Sequence, residues 1–519
     1  MFTFIKSVYL SILKYPKLGD ILALLSGAIL PLAYAPYSMS SIAILSLMML
    51  FVLWQNITPK QAWWRGFLYG IGMFGMGVSW VHISFYQFGG LPMVGAILLT
   101  LVFVLIMAMY PAFLGWLLIR YFPDPKHNLL LLPAAWTLME WLRGWLFTGF
   151  PWLSIGYGQI DSPFNSFAPL LGVYGVSFFT VLAAVLLIIY VLNSKSLTRP
   201  INTTFFILIA LVIVTELVKN IEWTKPIDKP VKVALMQGNV PQEFKWLSGF
   251  QLPSMQRYLE LSQSHRDADL IIWPETAIPL FYHEIPSYAP GFLEELRREY
   301  LEHKTDFLIG VPIMHSDGTY YNAVMTFTDK SEFYYKNHLV PFGEYIPLQF
   351  ISGNLFKLLN IPMSEFSSGA KKQAPLTSVG HSVGVSICYE DAFGDLIRNS
   401  LPAAELLVNV SNDAWFGDSI APHQHLEIAR MRALETGRYL LRATNTGISA
   451  VIDNKGKIIA QSPQFKITAL RAEVQPYQGI TPYVRFGDNL IIFISLFILG
   501  LAYFLRIIRF SMVRAVFDK

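Results

Sequence analysis

Cysteine is nearly missing from this chain: 519 residues contain one, Cys388. A single thiol excludes an intrachain disulfide and any Cys-x-x-Cys metal site. Charge is scarce too. Asp, Glu, Lys and Arg make up 14% of the residues, against about a quarter in ordinary soluble proteins. Hydrophobic residues make up 54% and the mean hydropathy is +0.44, so much of the chain must face lipid. No Lys/Arg-rich run provides a footprint for nucleic acid, and no nucleic-acid partner is expected. The net charge of +4 is a mild excess of the kind cytoplasmic loops of membrane proteins carry.

What the chain has in quantity is apolar runs, unevenly placed. A helix needs about 20 apolar residues to cross the hydrocarbon core. Eight stretches are read as spans: 21–37, 41–56, 66–86, 92–119, 129–150, 167–193, 203–218 and 488–508. The second and seventh are short. Ala33 and Ala35 in "PLAYAPYS" form an A-x-A pattern like a signal-peptide cleavage site, but a second apolar stretch follows at once, so an uncleaved helical hairpin is preferred. Nothing between 223 and 487 qualifies as a span. The chain therefore divides into a membrane domain with seven helices (1–222), a water-exposed domain (223–486), and an eighth helix with a tail (487–519).

Loop charges orient it. Lys6, Lys14, Lys17, Lys60, Arg65, Arg120, Lys126, Lys195 and Arg199 fall on one side, with Arg506, Arg509, Arg514 and Lys519 in the tail. The opposite loops carry only Asp161. The positive-inside rule places both termini in the cytoplasm and the large domain outside.

That domain alternates short β-rich runs ("VKVALMQ", "ADLIIWP", "DFLIGVPI", "VGVSICY", "AELLVNVS") with helical spacings ("GFLEELRREYLEH", "HLEIARMRALETGRYLL"). This alternation predicts an α/β layered fold. Three reactive residues each follow a strand: Glu275, Lys336 and Cys388. If the strands run side by side, all three emerge on one rim, where ligands of open α/β sheets bind. Together they suit nucleophilic acyl chemistry: a thiolate attacks, a carboxylate takes its proton, and an ammonium favours first the thiolate and then the tetrahedral oxyanion. The Tyr389 amide N–H is a second donor for that oxyanion. Each residue also has a plain reading. A lone Cys after an apolar strand is commonly core, and a Glu or Lys there is commonly loop surface.

The surrounding segments decide between these. "WPETAIP", "YYKNHLVPFGEYIP" and "SICYEDAF", in that order, resemble the Glu-Lys-Cys segments of the nitrilase superfamily. "LLVNVSNDAWFG" and "HLEIARMRALETGRYLLRATNTGISAVID" continue the pattern. With the membrane half, "EWLRGWLFTGFPW" and "QGNVPQEFKW", the whole chain resembles the apolipoprotein N-acyltransferase family of bacterial envelopes.

The resemblance implies an αββα nitrilase-like sandwich on a membrane α-helical domain of about eight transmembrane helices. It implies a multi-pass protein of the bacterial inner membrane, with its catalytic domain in the periplasm. The implied reaction takes the sn-1 acyl chain of a phospholipid, phosphatidylethanolamine, onto Cys388 as a thioester. The α-amino group of the S-diacylglyceryl-cysteine of an apolipoprotein then receives it. Glu275 would be the general base and Lys336 the oxyanion stabiliser. Glu344, Tyr389 and Glu390 match supporting positions, and Trp246 matches a functional tryptophan. No metal or other cofactor is implied, and a monomer is expected. The alternative is a membrane-anchored nitrilase-type amidase, in which water resolves the thioester. A transporter with an accessory domain ranks below both, since no internal repeat is visible.

Several features keep two readings. The apolar stretch 348–366 is a buried helix or a lid admitting acyl chains, and 244–255 is a second such loop. Glu140 and Arg143, three apart inside the fifth stretch, form an internal pair fixing helix packing, or Arg143 binds a lipid phosphate. Asp413, Trp415 and Phe416 line the site or belong to a turn with packed aromatics. The two histidines of "PHQH" (422–425) are weak evidence for a metal.

Overall fold

The computed structural model describes residues 16–193, 203–345 and 366–517. The stretch 348–366, apart from Phe366, lies outside them. The chain separates into two units. One takes the chain up to Ser79, Leu98–Ile221 and the chain from Phe486 onward; the other is Trp80–Ile97 with Glu222–Arg485. The second unit thus includes 80–97, which the division by sequence had grouped with the membrane part.

The first unit is helical: α1 (Pro16–Ile29), α2 (Ser41–Leu53), α3 (Pro59–Gly77), α4 (Met93–Tyr121, shared with the other unit), α5 (Pro125–Arg143), α6 (Ala168–Asn193), α7 (Thr203–Lys219) and α11 (Asn489–Phe517). Among the described residues four helices are long and apolar enough to cross a membrane. They become five if the segments Pro59–Gly77 and Val81–Phe88, bent by 60°, count as one span. α2, with 13 residues, is too short to do so alone. α1 and α3 pack backbone to backbone, and a Cβ on Gly27 would come within 2.0 Å of Tyr69 O. Such contact between small residues is how helices associate where lipid supplies no hydrophobic drive.

Glu140 and Arg143 are both buried. Arg143 donates to Phe150 O (2.7 Å), Trp152 O and Ser154 Oγ (3.2 Å). Glu140 Oε1 accepts from Trp136 Nε1 (2.9 Å) and Ile155 N–H (2.8 Å). Arg143 and Glu140 Oε1 thus tie the 150–155 turn to α5, which favours the structural reading of this pair.

The second unit contains two six-stranded sheets. In chain order the strands are β1 (Val231–Gln237), β2 (Leu270–Ile272), β3 (Asp306–Met314), β4 (Tyr320–Phe327), β5 (Phe333–Tyr335), β6 (Leu376–Ser378), β7 (His381–Ile387), β8 (Leu406–Ser411), β9 (Leu440–Thr444), β10 (Ala450–Ile452), β11 (Ile458–Gln461) and β12 (Thr468–Val474). The first sheet has the order β12-β1-β2-β3-β4-β5 and the second β11-β10-β9-β8-β7-β6. Each has a core of three parallel strands, β1–β3 or β7–β9, with antiparallel strands outside.

Period-two alternation sends one set of side chains between the sheets. Val233, Leu235, Ile272 and Leu308 meet Val385, Ile387, Val408 and Leu441 there. The other set faces helices. Met236, Ile271 and Phe307 pack on α8 (Gln251–Gln263) and α9 (Phe292–His303). Leu407, Leu440 and Ile452 pack on α10 (Ala421–Thr436). Strands covered on both faces read as continuous apolar runs. The result is the expected four-layer αββα sandwich.

Candidate active site

Glu275, Lys336 and Cys388 each leave the end of a strand. β2 runs into Trp273, Pro274 and Glu275; β5 and β7 are followed directly by Lys336 and Cys388. The strands are not neighbours, contrary to the side-by-side expectation. β3 and β4 separate β2 from β5, and β7 belongs to the other sheet. β5 is parallel to β2, because two antiparallel pairings intervene after β3, so their ends share a rim. Face-to-face packing of the sheets then brings in Cys388.

The chain leaving β2 passes tightly over its neighbour β3. A Cβ on Gly310 would lie 2.2 Å from Pro274 O and 2.8 Å from Glu275 Cα. Only glycine permits that crossing, and Glu275 stands where it does because of it.

The three groups are buried and coupled. Lys336 Nζ lies 3.5 Å from Glu275 Oε1 and 2.8 Å from Glu344 Oε1. Burial works against the Lys336 cation, but Glu344, Glu275 and Cys388 together hold its pKa above the ordinary value. It is therefore a permanent ammonium. The Cys388 thiol is pushed up, first by burial and next by the Glu275 charge, against the pull of Lys336. At neutral pH it is a thiol and needs a base to become a nucleophile. Glu275 is the carboxylate whose charge it feels most.

Two residues escaped the sequence reading. Asn322 on β4 donates Nδ2 to Glu275 Oε1 (2.8 Å) and Glu344 Oε1 (3.3 Å), tying the two carboxylates together. Its one signal was an amide within the apolar strand "YYNAVMTF". Lys245 is buried and donates Nζ to Glu275 O (3.1 Å); burial pulls its amine down to about 8. It stood in the quoted "QGNVPQEFKW", where the adjacent Trp246 drew the attention.

Glu390 has no exposed surface. Its Oε1 accepts from Asn337 N–H (2.6 Å) and His338 N–H (3.0 Å). Its Oε2 accepts from Ile387 N–H (2.7 Å) and the Tyr334 hydroxyl (3.0 Å). It therefore bridges the backbone just after Lys336 to the backbone just before Cys388, across the two sheets. Four donors favour the ionised carboxylate, while burial raises its pKa to about 7. Tyr389 is half-buried against Phe393, with ring centroids 5.0 Å apart. Cys388 itself has φ +55°, a left-handed conformation that costs a non-glycine residue about 1–3 kcal/mol and persists only where the surroundings enforce it.

The remaining expected residues are more scattered. Trp246 is half-buried beside Lys245 in a turn whose Phe244, Leu247 and Phe250 are exposed. The turn ends at Phe250, because α8 begins at Gln251 and buries Ser254 and Met255; the proposed loop 244–255 is thus half helix. Trp415 and Phe416 pack on the segment 80–88. Trp415 faces Phe88 at 4.8 Å and Phe416 faces Trp80 at 4.7 Å, while Ser84 Oγ donates to Trp415 O (2.7 Å). This is the packed-aromatic reading. Arg143 belongs to the helical unit, as described above.

Comparison with known proteins agrees with this architecture. Residues 26–186 match the family model of the apolipoprotein N-acyltransferase N-terminal domain, and 232–480 match that of the carbon-nitrogen hydrolases. An apolipoprotein N-acyltransferase of Methylococcus capsulatus is 46% identical over 90% of this chain and 92% of its own. One from Photobacterium profundum is 42% identical over 93% and 94%. A solved carbon-nitrogen hydrolase of Helicobacter pylori is 15% identical, with a TM-score of 0.36, over 47% of this chain and 89% of that one. With relatives this similar over nearly its full length, the chain belongs to the apolipoprotein N-acyltransferase family.

Proposed function

We propose that this protein N-acylates apolipoproteins, moving an acyl chain from a phospholipid to the α-amino group of an S-diacylglyceryl-cysteine through a thioester on Cys388. The observation that carries the reading is the convergence of a buried thiol, a carboxylate and a permanent ammonium in a chain rich in apolar helices. In the first half-reaction Glu275 takes the thiol proton, and the sulfur attacks the acyl ester carbonyl of the donor. Lys336 Nζ and the Tyr389 N–H stabilise the oxyanion. The C–O bond breaks, Glu275 returns the proton to the leaving oxygen, and a lysophospholipid departs. In the second half-reaction the acceptor amine attacks the thioester and Glu275 takes a proton from it. The C–S bond breaks and Glu275 returns the proton to the departing sulfur, leaving an amide and a free thiol. Two moderate barriers replace one high one.

Glu344 keeps Lys336 from collapsing onto the base, and Glu390 keeps both strand ends in register. Trp246 is assigned to substrate contact as the family resemblance implies, whereas the contacts of Arg143, Trp415 and Phe416 support the packing readings given above. Phosphatidylethanolamine is the proposed donor and a monomer the proposed state. The apolar stretches of the sequence are the ground for about eight spans, and loop charge supports both termini in the cytoplasm and the domain 223–486 in the periplasm, in the inner membrane. The amidase reading is weaker, because a soluble substrate needs no apolar helices of this kind.

Mass spectrometry of the protein incubated with phospholipid tests the proposal. An acyl adduct on Cys388, discharged by a diacylated lipopeptide amine to give an N-acylated product, is the expected result. Discharge to free fatty acid alone, with no N-acylated product, would overturn the transferase reading and leave water as the group that resolves the thioester.

A further inference from the structure

Beneath the nucleophile lies a polar cluster that the mechanism so far does not use. His425, the second histidine of "PHQH", sits on α10 with almost no exposed surface. Its Nε2 lies 2.9 Å from Asp391 Oδ1 and 3.3 Å from Cys388 O. Its Nδ1 lies 3.0 Å from Asp413 Oδ1 and 2.8 Å from Arg442 Nη2. Arg442 is fully buried; it donates Nη1 to Asp391 Oδ2 (3.1 Å) and Asn409 Oδ1 (2.6 Å), and Nη2 to Asp413 Oδ2 (3.1 Å). Asn409 in turn donates Nδ2 to Cys388 O at 3.2 Å. Two donors from two different elements, β8 and α10, thus converge on one carbonyl, that of the nucleophile.

Nε2 faces two oxygens that accept, Asp391 Oδ1 and Cys388 O, which disfavours a ring protonated on Nδ1 alone. An imidazolium has N–H at both nitrogens. A neutral ring with its proton on Nε2 keeps the same donor while Nδ1 accepts from Arg442. Either way Nε2–H faces Asp391 and Cys388 O.

A trans peptide is planar, with its C=O and N–H pointing in opposite directions. Fixing the Cys388 carbonyl therefore fixes the direction of the Tyr389 N–H, which the mechanism uses on the oxyanion. It also holds Cys388 in its left-handed conformation, and with it the bond from Cα to Cβ that carries the sulfur. The Asp391 and Asp413 carboxylates, themselves held by Arg442, keep the imidazole from rotating.

We propose that His425 is a positioning residue for the acylation step: with Asn409 it grips the Cys388 carbonyl and so aims the Tyr389 N–H at the developing oxyanion. The inference rests on the reading of Cys388 as the acyl carrier. It accounts for a histidine that as part of a metal motif explained nothing.

Two amides at one position test it. In His425→Gln the side-chain nitrogen reaches the place of Nε2; in His425→Asn it reaches only the place of Nδ1. The full-length enzyme in detergent is mixed with phospholipid, and lysophospholipid release is followed in a single turnover. His425→Gln is expected to stay within about fivefold of the unmodified enzyme. His425→Asn is expected to lose about 10²-fold at saturating lipid, the scale of one mispositioned oxyanion donor, with half-saturation changed less than about twofold. If His425→Asn does not fold, Asn409→Leu removes the other donor to the same carbonyl and should give the same loss confined to the saturated rate. Equal rates for the two amides, or a loss seen only in half-saturation, overturn the inference. If the unmodified enzyme forms no thioester on Cys388, the reading beneath it fails; a thioester with indifferent variants removes the positioning role alone.

Discussion

Glu344 Oε1 lies 2.8 Å from Lys336 Nζ, a closer partner than Glu275 at 3.5 Å. The ammonium is therefore held chiefly by Glu344, and Glu275, the proposed base, is left with a weaker hold on it. A general base tied into a tight ion pair would be a poor proton acceptor, because the cation stabilises its charged form. The second glutamate separates the two tasks.

Replacing Glu344 with Gln should let Lys336 close onto Glu275. Thioester formation is expected to fall about 10²-fold, the scale of a lost general base, with the protein still folded. Glu344→Asp, which keeps the charge on a shorter arm, should recover part of the rate. Single-turnover release of lysophospholipid measures both. A Glu344→Gln enzyme at full rate would show that Glu275 does not depend on its neighbour.

Glu390 predicts an acid limb. Protonation near pH 7 occupies an oxygen that must accept hydrogen bonds from the backbone around Lys336 and Cys388. The acylation rate should fall as pH drops through about 7, and Glu390→Gln should be slow at every pH without that limb. Stability moves the other way. The folded value lies above the ordinary 4.5, so the group's contribution is fully present below about 4.5 and is lost as pH rises through about 7. Thermal unfolding of Glu390→Gln should lack that decline. Coincident pH profiles for the two proteins would exclude Glu390 as the titrating group.

Lys245 gives a prediction at alkaline pH. Its folded value, about 8, lies below the ordinary 10.5, so the unfolded chain binds the proton more tightly. Stability should rise between about pH 8 and 10.5, and Lys245→Met should flatten that rise. The same substitution frees the Glu275 carbonyl from its donor and should slow acylation about tenfold. That figure corresponds to one hydrogen bond of about 1–2 kcal/mol. Chemical unfolding at three or four pH values, with single-turnover kinetics, checks both parts.

Gly310→Ala should displace Glu275, the proposed base, without changing its side chain. The added methyl meets Pro274 O and Glu275 Cα, backbone atoms that cannot swing aside as a side chain would. Acylation is expected to drop at least tenfold, while stability falls by about 1–3 kcal/mol from overpacking. Activity equal to that of the unmodified enzyme would mean that the chain over β3 relaxes without carrying Glu275 with it.

How much of this could be read from residues alone varies with the range of the interaction. The strand ends before Glu275, Lys336 and Cys388 were legible, because alternation and continuous apolar runs are local patterns. That the three strands are not neighbours was not legible: pairing joins segments far apart, and a run such as "LIIWP" is compatible with either sheet. Eight apolar stretches were evident, yet length and hydropathy support four or five spanning helices among the described residues. The stretch read as 66–86 bends by 60° at its end, and part of it joins the catalytic unit. The "PHQH" motif suggested a metal only because spacing cannot show that His425 faces two aspartates and a backbone carbonyl.

The sequence by itself determined the chemistry available: one thiol, the acidic and basic residues placed after strands, and a share of apolar helix that commits the chain to lipid. The tertiary structure alone decided how those groups act. Facing sheets bring Cys388 to Glu275 and Lys336, Glu344 takes the larger share of the ammonium, and Glu390, Asn409 and His425 hold the backbone around Cys388. The reason is physical. Residue type fixes what a group can donate, accept or attack, but burial and distance set its charge and its aim, and both arise from contacts between segments remote in the chain.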